Sequence, residues 1–324
     1  MSDSSEKQKN QYAIAFYNVE NLFDTVDDPN TFDDDFTENS GRKWNKSRFK
    51  KKLKKIGRVI SNIGFDEIGH PPVVVGLAEV ENAFVLEELI ASKFLKSKGY
   101  AIVHFDSPDE RGIDTALLYR SDYFKVIHSK AHNVILTNLE GEHDFTRDIL
   151  HVQGLLEGES VHILVNHWPS RRAGAEETAF QRLVVAKKAR EIIALITSEE
   201  PDARIIVMGD FNDDPNSESI KHLVSNDFYN PMELLLTNKA GSLSYKGEWN
   251  LFDQIIVSHN FMRQYGNAFR LEEAKIFNSK DLQAYKGRNK GTPFRTYAGR
   301  KYLGGMSDHF PVYAIFTIEK YDFH

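Results

Sequence analysis

Apolar residues along the chain fall into short unbroken runs, separated by amphipathic and polar segments. The runs YAIAFYNV (12–19), PVVVGLAEV (72–80), SVHILVNHW (160–168) and LFDQIIVS (251–258) have the length of buried strands. Further strands are predicted near 101–105, 113–120, 124–134, 147–157, 204–208 and 310–318. Helical spacing of apolar residues predicts helices beginning at Ser47, at 81–95, from Glu176 to Ser198 and near 217–224, with Ser47 as an N-cap. This alternation favours mixed sheets with outer helices.

The segments outside these elements indicate how many domains the chain has. The first eleven residues, MSDSSEKQKNQ, are polar and predict a disordered lead, and residues 24–44 have no apolar period and predict a long loop. Neither a linker nor an internal repeat divides residues 12–324, so one catalytic domain is expected. There is no cysteine, which excludes disulfides and thiolate metal sites.

No run of about 18 apolar residues predicts a membrane span, and the polar N-terminus lacks an apolar signal region. A cytoplasmic location is therefore the default expectation. A monomer is the default oligomeric state.

Charge is segregated along the chain, although the net charge is only −6. Residues 24–38 carry seven acids and no base, residues 42–58 carry ten bases and no acid, and Leu282 to Ser307 carries six bases and no acid. In the second segment the lysines oppose an apolar stripe, which favours a solvated helix face over nucleic-acid contact. The Gly-rich segment 285–302 is instead favoured as a substrate loop, because it lies directly before Asp308.

Polar side chains stand at the tips of five predicted strands. They are Asn18 and Glu20, Glu79, Asn166 and His167, Asp210 and Asn212, and Asp308 and His309. One such tip is usually a turn, and GDFNDDP (209–215) alone fits a turn equally well. Five tips rich in acids, amides and imidazoles predict convergence on one site at a sheet edge. Phosphate-ester hydrolysis needs such a set, with a hard cation, amides that position oxygens, and imidazole.

The motifs FYNVENLFD, GLAEVEN, TRDIL, VNHWPSR, GDFNDDP, FDQIIVS and SDHFPV occur in this order between about Phe16 and Val312. Together they resemble the endonuclease/exonuclease/phosphatase family, which includes deoxyribonuclease-type nucleases, abasic-site endonucleases, inositol polyphosphate 5-phosphatases and sphingomyelinases. The resemblance implies an α/β fold of the α+β type. Its expected form is a four-layer sandwich of two packed, mixed and mostly antiparallel β-sheets flanked by helices.

The same resemblance implies a site for Mg²⁺ or Mn²⁺. Glu79 would be the principal ligand, and Glu20 and Asp308 would be secondary ligands. The alternative for Glu79 is a structural role as an acidic residue at the N-terminus of the following helix. Asn18 is assigned to the metal group, where it would touch the metal-bound oxygen or the scissile phosphate.

Catalytic roles follow from the resemblance as well. Asp210 would align and deprotonate the attacking water, and Asn212 would hold the phosphate and Asp210 in register. His309 would stabilise charge in the transition state, with Asp253 fixing its orientation. His167, like a second histidine of the deoxyribonuclease branch, would protonate the leaving oxygen or bind phosphate; a structural role is its alternative. The predicted phosphate contacts are Arg147, Asn166 and Arg111, and for Arg111 a solvated loop arginine is equally supported.

A divalent-metal-dependent phosphoester hydrolase is therefore predicted, foremost an endonuclease-like phosphodiesterase acting on DNA or RNA. A small-molecule or lipid phosphodiesterase or phosphatase of the same fold is the alternative. The inositol option is weakened because no Arg follows GDFN at the position where WxGDxNxR carries one. An inactive binding protein is disfavoured, since the metal ligand, the base and the histidine are all present. A serine relay through Ser307 is excluded because neighbours on a strand point to opposite faces.

Overall fold

The computed structural model describes residues 10–137, 143–262 and 269–319. Most of the predicted disordered lead, residues 1–9, lies outside the described residues, whereas Gln11 already belongs to a strand. The helices are α1 (Lys46–Asn62), α2 (Phe65–Ile68), α3 (Ala83–Ile90), α4 (Ala179–Glu199) and α5 (Glu218–Val224). Among the described residues, no helix combines the length and apolar character needed to cross a membrane.

The strands are β1 (Gln11–Leu22), β2 (Val74–Val80), β3 (Tyr100–His104), β4 (Asp114–Arg120), β5 (Phe124–His132), β6 (Ile135–Thr137), β7 (His143–Phe145), β8 (Ile149–Leu156), β9 (Glu159–His167), β10 (Ile205–Asp210), β11 (Phe228–Tyr229), β12 (Leu243–Tyr245), β13 (Glu248–Asn250), β14 (Asp253–Ser258), β15 (Phe269–Ile276), β16 (Tyr297–Ala298), β17 (Lys301–Tyr302) and β18 (Val312–Ile318). The first six-stranded sheet has the order β15-β18-β1-β2-β4-β3, and the second has β11-β14-β10-β9-β8-β5. Only β1 with β2 and β9 with β10 pair in parallel within these two sheets as described, so both sheets are mixed and mostly antiparallel.

Alternation along the strands divides the core into three apolar layers. Ile14 and Phe16 of β1 face the second sheet and pack with residues such as Ile206. The other face of the first sheet packs against α1 and α3, and the outer face of the second sheet packs against α4 and α5. Each sheet therefore buries both faces, and the predicted four-layer sandwich is confirmed.

Local differences from the predicted elements have simple causes. Helix α1 is capped by Asn45, whose side chain accepts a 3.1 Å bond from the Arg48 amide, so Ser47 lies inside the first turn and is not the N-cap. The loop 24–44 is anchored by Phe36 and Trp44, which are buried against the first sheet. Strand β15 was not predicted, because its alternating acids and bases conceal the short apolar pattern.

Candidate active site

Strand register places three predicted site residues side by side at one edge of the second sheet. Asp210, the last residue of β10, pairs with His167 on β9 and with Asp253 on β14. Residues paired across neighbouring strands point to the same face, so these three side chains form a row. Gly209 permits this close pairing, because a Cβ there would lie 2.3 Å from the carbonyl oxygen of Asn166.

The first sheet delivers its polar residues through irregular backbone. The pairing of β1 with β2 shifts register after Asn18 and Ala78. Glu20 and Glu79 then adopt left-handed conformations, with φ of 51° and 64°. Residues other than glycine are uncommon there, and bulges redirect side chains at functional edges. The strained backbone thus turns both carboxylates away from the regular alternation of the sheet.

The side chain of Asn18 joins the two sheets at the centre of the site. Its Nδ2 donates to Asp210 Oδ2 at 2.9 Å and to Glu79 Oε1 at 3.3 Å. Its Oδ1 accepts the Glu20 amide at 2.9 Å, which fixes the orientation of the side-chain amide. Because Asn18 presents nitrogen to the carboxylates, it orients Asp210 and Glu79. Its predicted contact with a metal-bound oxygen or the scissile phosphate stays a prediction.

His309 lies between the two sheets and contacts Asp253. Its Nδ1 lies 2.7 Å from Asp253 Oδ2, and its Nε2 lies 3.9 Å from Asp210 Oδ2. Ser307 ties this segment to β1, since its hydroxyl donates to the Asn18 carbonyl and accepts the His309 amide. Burial alone would lower the pKa of His309, but Asp253 and Asp210 raise it well above the ordinary 6.5. The ring is therefore an imidazolium at neutral pH.

His167 has the opposite electrostatic character. Its Nε2 faces two carboxylates, 3.8 Å from Asp210 Oδ2 and 3.9 Å from Glu79 Oε1. Burial, followed by the positive charge of Arg147, lowers the pKa of His167 well below 6.5, so this ring is neutral. Its Nδ1 is buried and has no hydrogen-bond partner among the described residues, which favours the tautomer with hydrogen on Nε2.

Asp210 is buried, and desolvation raises its pKa above the ordinary 3.8. Its Oδ1 accepts the backbone amide of Asn212 at 2.9 Å, and Asn212 itself is left-handed with φ of 49°. The Asn212 side chain donates instead to the Trp168 carbonyl at 3.0 Å. Asn212 therefore holds Asp210 through its backbone amide, and its contact with a substrate phosphate stays a prediction.

The side chain of Asn166 turns away from the site. This side chain is fully buried, accepts from Trp168 Nε1 at 3.1 Å and donates to the Leu164 carbonyl at 3.2 Å. Successive residues on a strand point to opposite faces, so the turn of His167 toward the site directs Asn166 away from it. Asn166 therefore positions Trp168, and its contact with a substrate phosphate stays a prediction.

The two predicted arginines line a cleft of about 650 Å³, together with Arg172 and with Pro169 and Ser170, which follow β9. Arg147 is buried and donates to Asp109 Oδ2 at 2.9 Å and to the Trp168 carbonyl at 2.7 Å. This arginine braces the loop after β9, which differs from the predicted direct phosphate contact. Arg111 retains 30% exposure of its side chain, with Nε 3.5 Å from Asp109 Oδ1, so it is the more accessible of the two.

Glu20 and Asp308 form a separate cluster with two basic residues. Glu20 Oε2 accepts the Thr296 amide at 2.6 Å, and Lys52 donates to the Glu20 carbonyl and, at 2.9 Å, to Thr296 Oγ1. Arg295 donates to Asp308 Oδ2, and its Nε lies 4.0 Å from Glu20 Oε1. Burial, then the charge of Asp308, raises the pKa of Glu20 to about 7.

Sequence reasoning missed Lys52, Arg295 and Arg171 as structural parts of the site. Lys52 had a detectable signal, because it lies on the apolar stripe of α1 between Phe49 and Ile56. Arg171 donates to the Asn212 carbonyl at 2.7 Å and to Asp213 at 2.7 Å. Neither Arg171 nor Arg295 stands out by spacing, since both occur in segments with several basic residues.

Comparison with known proteins identifies the fold. An endonuclease/exonuclease/phosphatase family protein from Bacteroides thetaiotaomicron has a TM-score of 0.60 and 16% identity, covering 97% of each chain. Truncated Caenorhabditis elegans TDP2 has a TM-score of 0.58 and 16% identity over 95% of this chain and 98% of that chain. D. rerio TDP2 complexed with single strand DNA product has a TM-score of 0.57 and 16% identity over 94% and 98%. A search of curated proteins found no match.

These structural similarities, at such low identities, show a shared fold. The sequence adds independent evidence, because the model of the Endonuclease/Exonuclease/phosphatase family matches residues 13–320. The match spans both sheets and every predicted catalytic and metal-binding residue. The chain belongs to the endonuclease/exonuclease/phosphatase family.

Proposed function

We propose that this chain is a divalent-metal-dependent phosphodiesterase that hydrolyses nucleic acid by in-line attack of water. The supporting observation is the set of groups around one oxygen. Asp210 Oδ2 lies 2.9 Å from Asn18 Nδ2, 3.8 Å from His167 Nε2 and 3.9 Å from His309 Nε2. A base, a neutral imidazole and an imidazolium thus face one small volume, as phosphoryl transfer requires.

The protonation state of each side chain determines its proposed catalytic role. Asp210, with its raised pKa, orients the attacking water and takes its proton. His309, protonated and held by Asp253, stabilises negative charge that develops on the phosphate. His167, with hydrogen on Nε2, donates to the leaving oxygen. Arg111, which lines the cleft and is 30% exposed, contacts a neighbouring phosphate.

The donor set at Glu79 fits a hard cation. Its Oε2 accepts the Asn21 amide at 2.8 Å, while Oε1 has one long contact with Asn18 and 15% of the side chain is exposed. Carboxylate oxygens without sulfur suit Mg²⁺ or Mn²⁺, and the family is generally divalent-metal dependent. When bound, the ion would stabilise negative charge on the phosphate and leaving oxygens.

Nucleic acid is the proposed substrate class. Lys286, Arg288 and Lys290 are exposed in a segment without acids, whose neighbouring Arg295 and Thr296 contact Asp308 and Glu20. This connection supports a basic substrate-binding segment near the site, despite the net charge of −6. A structural relative, D. rerio TDP2, was solved with a single strand DNA product.

A substrate panel tests the proposal. Single-stranded and duplex DNA, RNA, nucleotides, phosphoinositides and sphingomyelin are each incubated with Mg²⁺, Mn²⁺ or chelator. We expect cleavage of nucleic acid with either ion and none with chelator, and Asp210→Asn serves as the inactive control. Turnover in chelator, or hydrolysis confined to a small or lipid ester, would contradict the metal dependence or the substrate class respectively.

A further inference from the structure

The loop after β10 carries Asp210 out of the sheet through strained backbone. Asn212 is left-handed, with φ of 49°, which is uncommon for residues other than glycine. In this conformation its backbone amide donates to Asp210 Oδ1 at 2.9 Å. The orientation of the Asp210 carboxylate therefore depends on the contacts that keep Asn212 in this conformation.

Arg171 contacts the two residues that follow Phe211 in this loop. Its Nε donates to the Asn212 carbonyl at 2.7 Å, and its Nη2 donates to Asp213 Oδ1 at 2.7 Å. The same guanidinium lies over the ring of Phe252, 4.5 Å from the ring centroid, and the Phe252 carbonyl accepts the Phe211 amide at 2.8 Å. A planar guanidinium with two engaged donors and one stacked face fixes the peptide after Asn212.

Asp213 is held from its other side by helices α4 and α5. It is buried, and its Oδ2 lies 2.8 Å from Nε of Arg182 on α4 and accepts the Ser219 hydroxyl of α5 at 2.5 Å. Arg182 itself is only 1% exposed. Asp213 is thus fixed to the core, and Arg171 connects this fixed carboxylate to Asn212.

Arg171 also belongs to the segment that follows His167 at the end of β9. Within this segment the Trp168 amide donates to the Asp210 carbonyl at 2.9 Å, and the Trp168 carbonyl accepts the Asn212 side chain at 3.0 Å. Arg171 adds a third connection between the loops after β9 and β10, and 26% of its side chain is exposed. It can therefore be replaced with less disturbance of the core than the buried Trp168.

We propose that Arg171 is a positioning residue, which holds Asn212 and thereby orients the Asp210 carboxylate toward the attacking water. This inference rests on the proposed function, in which Asp210 is the base. Burial raises the pKa of Asp210, and the charges of His309 and Asp253 also act on it. These influences do not depend on Arg171, so its loss should lower kcat and leave the pH dependence of kcat in place.

The experiment compares Arg171→Ala with Arg190→Ala on an oligonucleotide. Arg190 is the matched control, because 26% of its side chain is also exposed, it pairs with Asp227, and it lies over the Phe228 ring at 5.6 Å. We expect kcat of Arg171→Ala to fall roughly 10–10²-fold with little change in KM, since a slightly misplaced group can cost about 10²-fold. Added guanidinium ion should restore part of this kcat, and Arg190→Ala should resemble the wild type throughout.

Amide hydrogen exchange tests the same contact without turnover. The Asn212 amide, which is bound to Asp210, should exchange faster in Arg171→Ala than in the wild type or in Arg190→Ala. Circular dichroism and thermal unfolding check that each variant is folded. If Arg171→Ala fails to fold, Arg171→Met removes both donors while retaining an apolar side chain beside Phe252.

The outcomes separate this inference from the proposed function. A near-normal kcat in a folded Arg171→Ala chain, or unchanged exchange of the Asn212 amide, would overturn the inference and leave the proposed function intact. A raised KM with kcat spared would also overturn it, because Arg171 would then contact the substrate directly. A wild-type chain that hydrolyses no phosphodiester would overturn the proposed function, and with it the role of Arg171.

Discussion

The site contains two groups of carboxylates with contrasting surroundings. In the first half, formed by Glu79 and Asp210, the closest donors are the neutral Asn18 amide and backbone amides. In the second half, formed by Glu20 and Asp308, the partners are Arg295 and Lys52. The two halves cannot be distinguished in the sequence. Both contain acidic residues near predicted strand ends, with an Asn or His close by in the chain. Acidic residues at strand ends are therefore distinguished by the cations that tertiary contacts bring to them.

The contrast predicts where chemistry is concentrated. In the first half, we expect Glu79 to bind a divalent ion and Asp210 to act as a base, with His309 as its cationic neighbour at 3.9 Å. Fixed cations in the second half hold the loop 285–302 against β1 and α1. We expect substitutions in the first half to affect turnover and metal affinity most, and those in the second half to affect mainly the position of the loop.

The largest effect is expected for Asp210→Asn. The amide keeps the shape but cannot take the proton of the attacking water, so kcat should fall roughly 10²–10⁴-fold. Because this role belongs to the transition state, kcat/KM should fall in parallel. Steady-state kinetics on a nucleic-acid substrate measures both, with circular dichroism to verify the fold. The exposed Asp227→Asn is the matched control and should be normal, and a near-normal kcat for Asp210→Asn would remove Asp210 from its assigned role.

The next effect concerns pH and the pair His309 and Asp253. Asp253 helps raise the pKa of His309, while burial lowers it, so Asp253→Asn should lower this pKa. A neighbouring charge shifts a pKa by roughly 1–3 units. The alkaline limb of kcat should move to lower pH by about that amount, because His309 loses its proton earlier. The kcat near pH 6 should fall less than in His309→Ala.

Two measurements check this pair. The pH–rate profile gives the position of the alkaline limb, and nuclear magnetic resonance gives the titration of the His309 ring. An unchanged His309 pKa in Asp253→Asn would show that the 2.7 Å contact does not set the protonation state.

A smaller effect is expected on Mn²⁺ affinity, which can be compared between one variant of each half. Glu79→Gln should weaken binding at least about tenfold, because even residues behind a metal ligand typically affect affinity by that factor. Glu20→Gln should change it less, since Arg295 and Thr296 already engage that carboxylate. Calorimetric titration of both variants decides between them. A larger loss for Glu20→Gln would place the ion in the second half.

Apolar periodicity predicted most strands of the sheets and the outer helices, and the polar strand ends predicted the meeting of Glu79, Asp210 and His309. The place of Asp253 beside His309 was implied only by the family resemblance. The sequence did not predict which atoms face the site. The Asn18 amide turns its nitrogen inward because the Glu20 backbone binds its oxygen, and Asn166 points away because it neighbours His167 on β9. Arg295 and Lys52 come from segments far from Glu20 in sequence, so their pairing depends on tertiary packing.

The smallest effect on catalysis is expected from the exposed part of the 285–302 loop. Arg295, in the same basic segment, turns inward to Asp308, whereas Lys286, Arg288 and Lys290 are exposed. If these three residues meet phosphates that flank the cleaved one, their contacts exist equally in the ground and transition states. Their joint replacement by Ser should then raise KM for an oligonucleotide and spare kcat. The log–log salt slope should also become shallower, by up to about 0.7 per lost contact on single strands.

The control is the triple replacement of Lys50, Lys51 and Lys54 by Ser on the exposed face of α1, which removes the same charge from the other basic segment. We expect this control to keep the wild-type KM and salt slope, because the base of α1 that binds the loop, Lys52 at Thr296 Oγ1, is retained. A minimal bis-ester should be hydrolysed equally by wild type and both triple variants. Equal losses on the oligonucleotide and the bis-ester, or no loss on either, would argue that the loop does not bind a polymer and would favour a small-molecule phosphoesterase.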